Sequence, residues 1–193
     1  MVKDAAKYIQ VVPFNDADHL ERLFQERGSE IACLIMDVPF RIRSAAPADA
    51  GSLVAIERRA FSDPWSEGSF REALSSPWTF GLVADTSRGV AGYLIGREVA
   101  GTGEVLNLAV APEFRRRGIG GALLGAGLVA FRRRKVDEVF LEVRESNISA
   151  QALYIGHGFR PVGQRASYYR NPREDALVLR LEMEQRAGGG APP

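Results

Sequence analysis

Short apolar runs alternate with segments of helical periodicity along the chain from Phe40 onward. Runs bounded by glycine, proline or polar turns predict strands, at Phe40–Ser44, Phe80–Ala84, Val90–Glu98, Glu104–Val110, Val139–Arg144, Phe159–Tyr168 and Ala176–Met183. Apolar residues at helical spacing predict helices, one starting near Pro47 and the others at Glu67–Ser75, Gly118–Arg134 and Ser149–Gly156. Ser66 is predicted to cap the helix Glu67–Ser75. Interleaving of this kind is typical of an α/β fold.

The chain divides near Pro39, which interrupts this pattern. Residues 1–39 are predicted to form a strand–helix–strand appendage, with elements at Tyr8–Val12, Asp16–Arg27 and Ile31–Met36. We expect the main domain to span 40–185. The segment 186–193 is rich in glycine, alanine and proline, and it has too few apolar groups to order itself, so we expect a flexible tail.

Composition narrows the class of protein. The chain has 193 residues, of which 46% are hydrophobic and 25% charged, as in a globular protein with its own core. The formal net charge is only +1, which argues against a general nucleic-acid or membrane-surface binder. No apolar run approaches the ~18 residues of a membrane span, and the start MVKDAAKYIQ does not have the pattern of a signal peptide.

The single cysteine, Cys33, indicates a reducing compartment. It can form neither an internal disulfide nor a cysteine metal cluster. His19 and His157 are too far apart in the sequence to suggest a metal pair. We therefore expect a cytoplasmic protein that binds no metal.

The most informative stretch runs from Asn107 to Gly121. A buried strand leads into a turn marked by Pro112, and arginines and glycines then open a helix; these are Arg115, Arg116, Arg117, Gly118, Gly120 and Gly121. A helix N-terminus carries unpaired N–H groups and a partial positive charge, so cations there are unfavourable unless an anion binds. Glycines let backbone N–H groups approach phosphate oxygens closely. The pattern predicts a phosphate site; the alternative is a solvated basic loop whose glycines serve turn geometry.

The spacing in this stretch excludes two common phosphate motifs. No Lys-Ser/Thr pair follows the glycines, so the loop is not a Walker loop. The third glycine of the dinucleotide-binding fingerprint is missing.

The run Arg115-x-x-Gly118-x-Gly120 instead resembles the coenzyme A pyrophosphate loop of the GNAT superfamily of N-acetyltransferases. Further motifs are similar to its RimI branch, which acetylates the N-terminal alanine of a ribosomal protein. These are Phe61-x-x-Pro64-Trp65-Ser66, Leu141-Glu142-Val143-Arg144-x-Ser146-Asn147, Ala152-Leu153-Tyr154, Gly158-Phe159, and Arg165-x-x-Tyr168-Tyr169 followed by Asp175-Ala176. The resemblance covers roughly Phe40 to Met183. It implies a mixed, mostly antiparallel sheet with a splayed parallel strand pair, flanked by helices.

Two parts of the chain depart from this resemblance. Residues 1–39 weakly resemble an internal segment of class III aminotransferases, but no pyridoxal-binding lysine context accompanies them, so we infer no aminotransferase chemistry. Lys135 follows a predicted helix where the branch usually has a glycine, which could change the loop conformation.

The resemblance also implies where the cosubstrate acetyl-CoA binds. It would lie between the strands Glu104–Val110 and Val139–Arg144. The backbone at Leu108, Ala109 and Val110 would hold the pantetheine arm and the acetyl carbonyl, and the loop Arg115–Gly121, which includes Ile119, would hold the pyrophosphate. Asn147 would either bond the pantetheine arm or cap the helix that follows it.

Glu142 and Tyr154 are the candidate catalytic residues. Glu142 shares a strand face with Phe140, and burial in apolar company raises a carboxyl pKa, which suits a general base acting directly or through water. The alternative is an exposed carboxylate that pairs with Arg144. The resemblance implies that Tyr154 is the acid that protonates the departing thiolate; the alternative is a core tyrosine.

The resemblance places the acceptor site between the turn at Trp65 and the pair Tyr168 and Tyr169, although paired tyrosines could also be hairpin packing. We expect an amine to attack acetyl-CoA directly in a ternary complex. The favoured acceptor is a protein N-terminus, and the enzyme would be a monomer or homodimer. The alternatives are acetylation of a small-molecule amine and a non-catalytic coenzyme A-binding module.

Overall fold

The computed structural model describes residues 40–183. The predicted appendage, its boundary near Pro39 and the flexible tail therefore involve residues outside the described ones, as do Cys33 and His19.

Within this range the chain forms strands and helices in the predicted alternation. The strands are β1 (Phe40–Ser44), β2 (Thr79–Thr86), β3 (Gly89–Val99), β4 (Thr102–Val110), β5 (Glu138–Arg144), β6 (Arg160–Arg170) and β7 (Arg173–Glu182). The α-helices are α1 (Ala50–Ala60), α2 (Glu67–Ser75), α3 (Ile119–Arg133) and α4 (Ile148–Gly156), with short 3-10 turns at Pro47–Asp49 and Pro112–Phe114. None of these helices has both the length and the apolar character needed to cross a bilayer.

The strands form one sheet in the order β1-β2-β3-β4-β5-β7-β6. The pair β4 and β5 is parallel, and the other neighbours are antiparallel. The predicted mixed, mostly antiparallel sheet is therefore confirmed.

Local chemistry sets the helix ends. Ser66 Oγ accepts a hydrogen bond from the Ser69 N–H at 3.0 Å and caps α2, as predicted. Asn147 Oδ1 accepts from the Ala150 N–H at 3.2 Å and caps α4. After α3, Lys135 has a φ of +59°, the left-handed conformation that usually falls to glycine at this position. A lysine thus occupies the left-handed position that ends α3.

Helices cover both faces of the sheet. Tyr93 of β3 packs edge-on against Phe70 of α2, with ring centroids 5.3 Å apart. The next residue, Leu94, instead lies against Gly127 of α3. Because successive strand residues point to opposite faces, α2 and α3 lie on opposite faces of the sheet. The buried apolar side chains between the layers form the core.

The parallel pair separates halfway along its length. β4 pairs with β5 over Thr102–Glu104 and Glu138–Phe140. Beyond this, β4 continues along β3 to Val110, and β5 continues along β7 to Arg144. A register shift between β3 and β4 leaves Leu106 as an extra residue, and such a bulge bends its strand. The two strands therefore diverge, and a gap opens in the middle of the sheet.

Candidate active site

A cavity of about 700 Å³ lies where β4 and β5 diverge. It is bordered by the α1–α2 turn, β4, β5, α4 and the β6–β7 turn. The predicted site residues that line it are Trp65, Leu108, Glu142, Asn147, Tyr154, Tyr168 and Tyr169. The fold thus brings together residues predicted separately for catalysis, pantetheine binding and acceptor binding. Among residues 40–183, no three His, Cys, Asp or Glu side chains gather in a metal-binding arrangement.

Glu142 lies on β5 at the edge of this cavity, and its side chain is 14% exposed. Burial raises the pKa of its carboxyl group; the Arg165 guanidinium opposes this shift, and the Glu104 carboxylate adds to it. Arg165 Nη2 lies 3.4 Å from Glu142 Oε1. The predicted alternative, a pair with Arg144, is wrong, because Arg144 turns toward the β6–β7 turn and pairs with Glu174 at 3.0 Å.

Tyr154 enters the cavity from α4 and is 7% exposed. Its ring packs against Phe159, with centroids 6.0 Å apart. Burial raises the pKa of the Tyr154 hydroxyl above its ordinary value, so the phenol keeps its proton at neutral pH. Tyr154 therefore combines the packing of a core tyrosine with a proton available at the cavity.

The loop after β4 does not line this cavity, but it lies beside it. A Cβ at Gly120 would contact Leu153 at 3.5 Å, and Leu153 itself lines the cavity. Gly118 has a φ of +77°, a left-handed conformation that side chains rarely adopt, and no side chain caps α3 there. Arg115 Nε donates to the Val110 carbonyl at 3.1 Å. The other predicted loop residues are exposed Arg116, half-buried Arg117 and Gly121, and buried Ile119.

At alternate residues of β4, the backbone N–H and C=O groups point toward the gap between β4 and β5. The Ala111 N–H donates to the Ala91 carbonyl of β3 at 2.8 Å, and Ala109 lies opposite Tyr93 in the same ladder. Because hydrogen-bonding groups alternate in direction along a strand, the peptide groups of Leu108 and Val110 face the β5 side. Ala109 directs its own groups to β3, and its side chain is buried.

The two predicted acceptor walls come from different elements, and both line the cavity. Trp65 lies in the α1–α2 turn, with its ring 5.3 Å from Phe70. Near the end of β6, a register shift opposite β7 leaves Tyr168 out of the regular ladder, and the next residue, Tyr169, lies opposite Glu174. Their rings meet at 90° with centroids 5.1 Å apart, so they pack on each other and line the cavity as well.

The sequence analysis did not identify Glu57, a buried carboxylate that also lines the cavity. Glu57 of α1 is 1% exposed, yet its carboxylate accepts hydrogen bonds from the Trp65 N–H at 3.1 Å and Asn107 Nδ2 at 3.0 Å, and from the Tyr93 hydroxyl. Burial raises the pKa of Glu57, and these donors oppose the shift. The sequence signal was available: Glu57 follows Leu53 by four residues and so shares its apolar helix face.

Comparison with known proteins agrees with this geometry. Residues 51–159 match the model of the acetyltransferase (GNAT) family. The chain is 33% identical over 144 residues to the [ribosomal protein bS18]-alanine N-acetyltransferase of Escherichia coli K12, covering 74% of this chain and 97% of that one. It is 36% identical over 150 residues to the N-alpha-acetyltransferase RimI of Mycobacterium tuberculosis, covering 75% and 93%.

A solved structure resembles this fold in the same way. The crystal structure of the ribosomal-protein-S18-alanine N-acetyltransferase from Escherichia coli superposes with a TM-score of 0.70 at 31% identity, over 79% of this chain and all of that one. The predicted resemblance to RimI-type enzymes is therefore confirmed. The chain is an acyltransferase that belongs to the acetyltransferase (GNAT) family.

Proposed function

We propose that this enzyme transfers the acetyl group of acetyl-CoA to the N-terminal α-amine of a protein. The observation that carries the proposal is that Glu142 and Tyr154 line one cavity together with Trp65 and Tyr168, the residues predicted to contact the acceptor. The bS18-alanine N-acetyltransferase of Escherichia coli, 33% identical over 144 residues, supports a protein N-terminus as the acceptor.

The residues around the gap fit acetyl-CoA. Leu108 and Val110 turn peptide groups toward β5, where they would meet the pantetheine arm and the acetyl carbonyl. The uncapped start of α3 offers N–H donors for the pyrophosphate. A Cβ at Gly120 would make only ordinary contacts with the protein, so packing does not require glycine there. The close approach of a ligand would explain why glycine occupies position 120.

Asn147 and Ala109 hold different positions in this arrangement. Asn147 caps α4 through its Oδ1, so its amide N–H₂ group is the part that would reach the pantetheine arm. The side chain of Ala109 is buried. Ala109 would contribute through its backbone pairing with β3, which leaves the peptide groups of Leu108 and Val110 facing β5.

The reaction needs two proton transfers that the cavity residues can perform. Glu142, directly or through water, would accept a proton from the acceptor amine, and a pKa raised by burial suits this task near neutral pH. The neutral amine nitrogen then attacks the thioester carbonyl, the C–S bond breaks, and the nitrogen loses its second proton to solvent. Tyr154, protonated at neutral pH, would give its proton to the departing thiolate. No covalent acetyl-enzyme is required.

The acceptor class follows from the acid–base chemistry. An α-amine has a pKa of about 7.7–8.0, whereas a lysine side chain has a pKa of about 10.4. The lysine amine would need about 3 kcal/mol more to lose its proton at neutral pH, at 1.36 kcal/mol for each pKa unit. One carboxylate base therefore favours an α-amine.

The experiment that tests this proposal separates it from the two alternatives. Acetyl-CoA turnover is measured with short peptides that begin with alanine, with polyamines and with free amino acids. We expect turnover with the peptides alone. Turnover confined to the small amines would establish the small-molecule alternative, and coenzyme A binding without turnover on any acceptor would establish a binding module. The monomer-or-homodimer assembly and the lack of nucleic-acid and membrane partners stay predictions.

A further inference from the structure

Two turns wall the acceptor side of the cavity, and they come from distant parts of the chain. The α1–α2 turn contributes Phe61, Ser62 and Trp65, and the β6–β7 turn contributes Pro172, next to Arg170 at the end of β6. Any acceptor held between them depends on their relative position.

The side chain of Arg144 contacts both turns at once. It extends from β5, two residues after Glu142. Its Nη2 donates to Ser62 Oγ at 3.1 Å and to the Asn171 carbonyl at 3.1 Å, and its Nη1 donates to the Pro172 carbonyl at 3.2 Å. Ser62 Oγ also donates to the Asn171 carbonyl. Arg144 thus closes a hydrogen-bonded bridge between the two turns.

The Arg144 side of the bridge is anchored and largely shielded from water, while its partners in the two turns are exposed. Arg144 Nη1 donates to Glu174 Oε2 at 3.0 Å, and the two side chains are 19% and 16% exposed. The Arg144 guanidinium carbon lies 4.0 Å from the centroid of the Tyr169 ring. The Ser146 N–H holds the other oxygen of Glu174 at 2.6 Å. These contacts use the planar fork of a guanidinium, whose donor geometry lysine lacks.

We propose that Arg144 is a positioning residue, which joins the two walls of the acceptor site and thereby sets the affinity for the acceptor rather than the rate of acetyl transfer. This inference rests on the proposed function. It distinguishes Arg144 from Glu142, its neighbour on the same strand face, which would act on the reacting amine.

The test compares wild type with Arg144→Lys, which keeps the charge but not the fork. We expect the KM for an N-terminal peptide to rise about tenfold, equivalent to about 1.4 kcal/mol, while kcat and acetyl-CoA affinity stay within about twofold of wild type. The matched control is Arg180→Lys, since Arg180 pairs with Glu138 on the sheet, away from the two turns. It should change none of these constants.

A double variant tests the bridge itself. Ser62→Ala alone should raise the peptide KM, and Ser62→Ala with Arg144→Lys should be little worse than Arg144→Lys alone, because both changes open one bridge. Additive increases of the peptide KM in the double variant would overturn the inference, and so would an unchanged peptide KM in Arg144→Lys. A fall of kcat and of acetyl-CoA affinity as large as the rise in peptide KM would also overturn it.

Hydrogen exchange separates this inference from the proposed function. In Arg144→Lys, amides of both turns, 61–65 and 170–173, should exchange faster than in wild type, whatever the acceptor is. Faster exchange in one turn only, or in neither, contradicts the bridge. Wild-type enzyme that acetylates no peptide contradicts the proposed function and leaves the exchange result to decide the bridge.

Discussion

The guanidinium of Arg165 on β6 lies 3.4 Å from the carboxylate of Glu142 on β5. The candidate base is therefore influenced by two opposing effects: burial raises its pKa, and the Arg165 charge lowers it. A base must be deprotonated to act, so the acidic limb of the activity profile reports this balance.

Arg165→Gln should move that limb to higher pH. Removing the cation removes an effect that lowers the Glu142 pKa, so burial and Glu104 raise it further. The measurement is kcat against pH with saturating acetyl-CoA and the same peptide for wild type and variant. The titration of the peptide amine then affects both pH profiles equally. Arg160→Gln, five residues earlier in β6, is the control and should leave the limb in place. A limb that stays put, or moves to lower pH, contradicts the pairing of Arg165 with a catalytic Glu142.

Tyr154→Phe should lower kcat by about 10²–10⁴-fold, the usual cost of losing a positioned acid. The ring packs against Phe159, so the variant keeps this contact and should unfold near the wild-type temperature. Acetyl-CoA affinity, measured by calorimetry, should also stay close to wild type. Full turnover in this variant would show that Tyr154 serves packing alone.

Gly120→Glu should weaken acetyl-CoA binding about a hundredfold, since it sets a negative charge beside the predicted pyrophosphate site. The fold itself accommodates a Cβ at this position. Gly51→Glu adds the same charge in α1, at a site with no atom within 4 Å of the new Cβ, and serves as the control. Equal affinities for the two variants in calorimetry would remove the loop from the cosubstrate site.

Glu57→Ala should destabilise the fold, because it leaves the buried donors of Tyr93 and Asn107 without their acceptor. Each unsatisfied buried group costs about 1–3 kcal/mol. Urea unfolding measures the change in the free energy of unfolding. Glu67→Ala removes an exposed carboxylate that pairs with Arg71 in α2, and it should cost less than about 1 kcal/mol. Equal losses in the two variants would contradict the role of Glu57 as a buried acceptor.

Sequence patterns predicted the elements of the described region because each depends on local chemistry. Apolar runs bounded by turn residues predicted the strands of the sheet, and Ser66 was correctly predicted to cap α2. The resemblance to the GNAT superfamily predicted the parallel strand pair and a single site for the candidate residues, because motifs in this order indicate the fold of that family. The lysine at 135 did not alter its turn, because Lys135 adopts the left-handed conformation that glycine would take.

Side-chain partners were harder to predict, because they depend on contacts between distant elements. Strand alternation placed Glu142 and Arg144 on one face. It could not show that Glu142 pairs with Arg165 of β6, or that Arg144 pairs with Glu174 of β7. The bulge at Leu106, which opens the gap, also has no strong local signal, since it arises from the register between β3 and β4.

The most direct test of the proposed function uses one peptide with two competing amines. The peptide carries a free N-terminal alanine and an internal lysine, and it is incubated with acetyl-CoA and the wild-type enzyme at neutral pH. Fragment-ion mass spectrometry then locates the acetyl group. We expect it on the α-amine, with the lysine unmodified, because the α-amine has the lower pKa. Acetylation of the lysine in preference to the α-amine would contradict the proposed function.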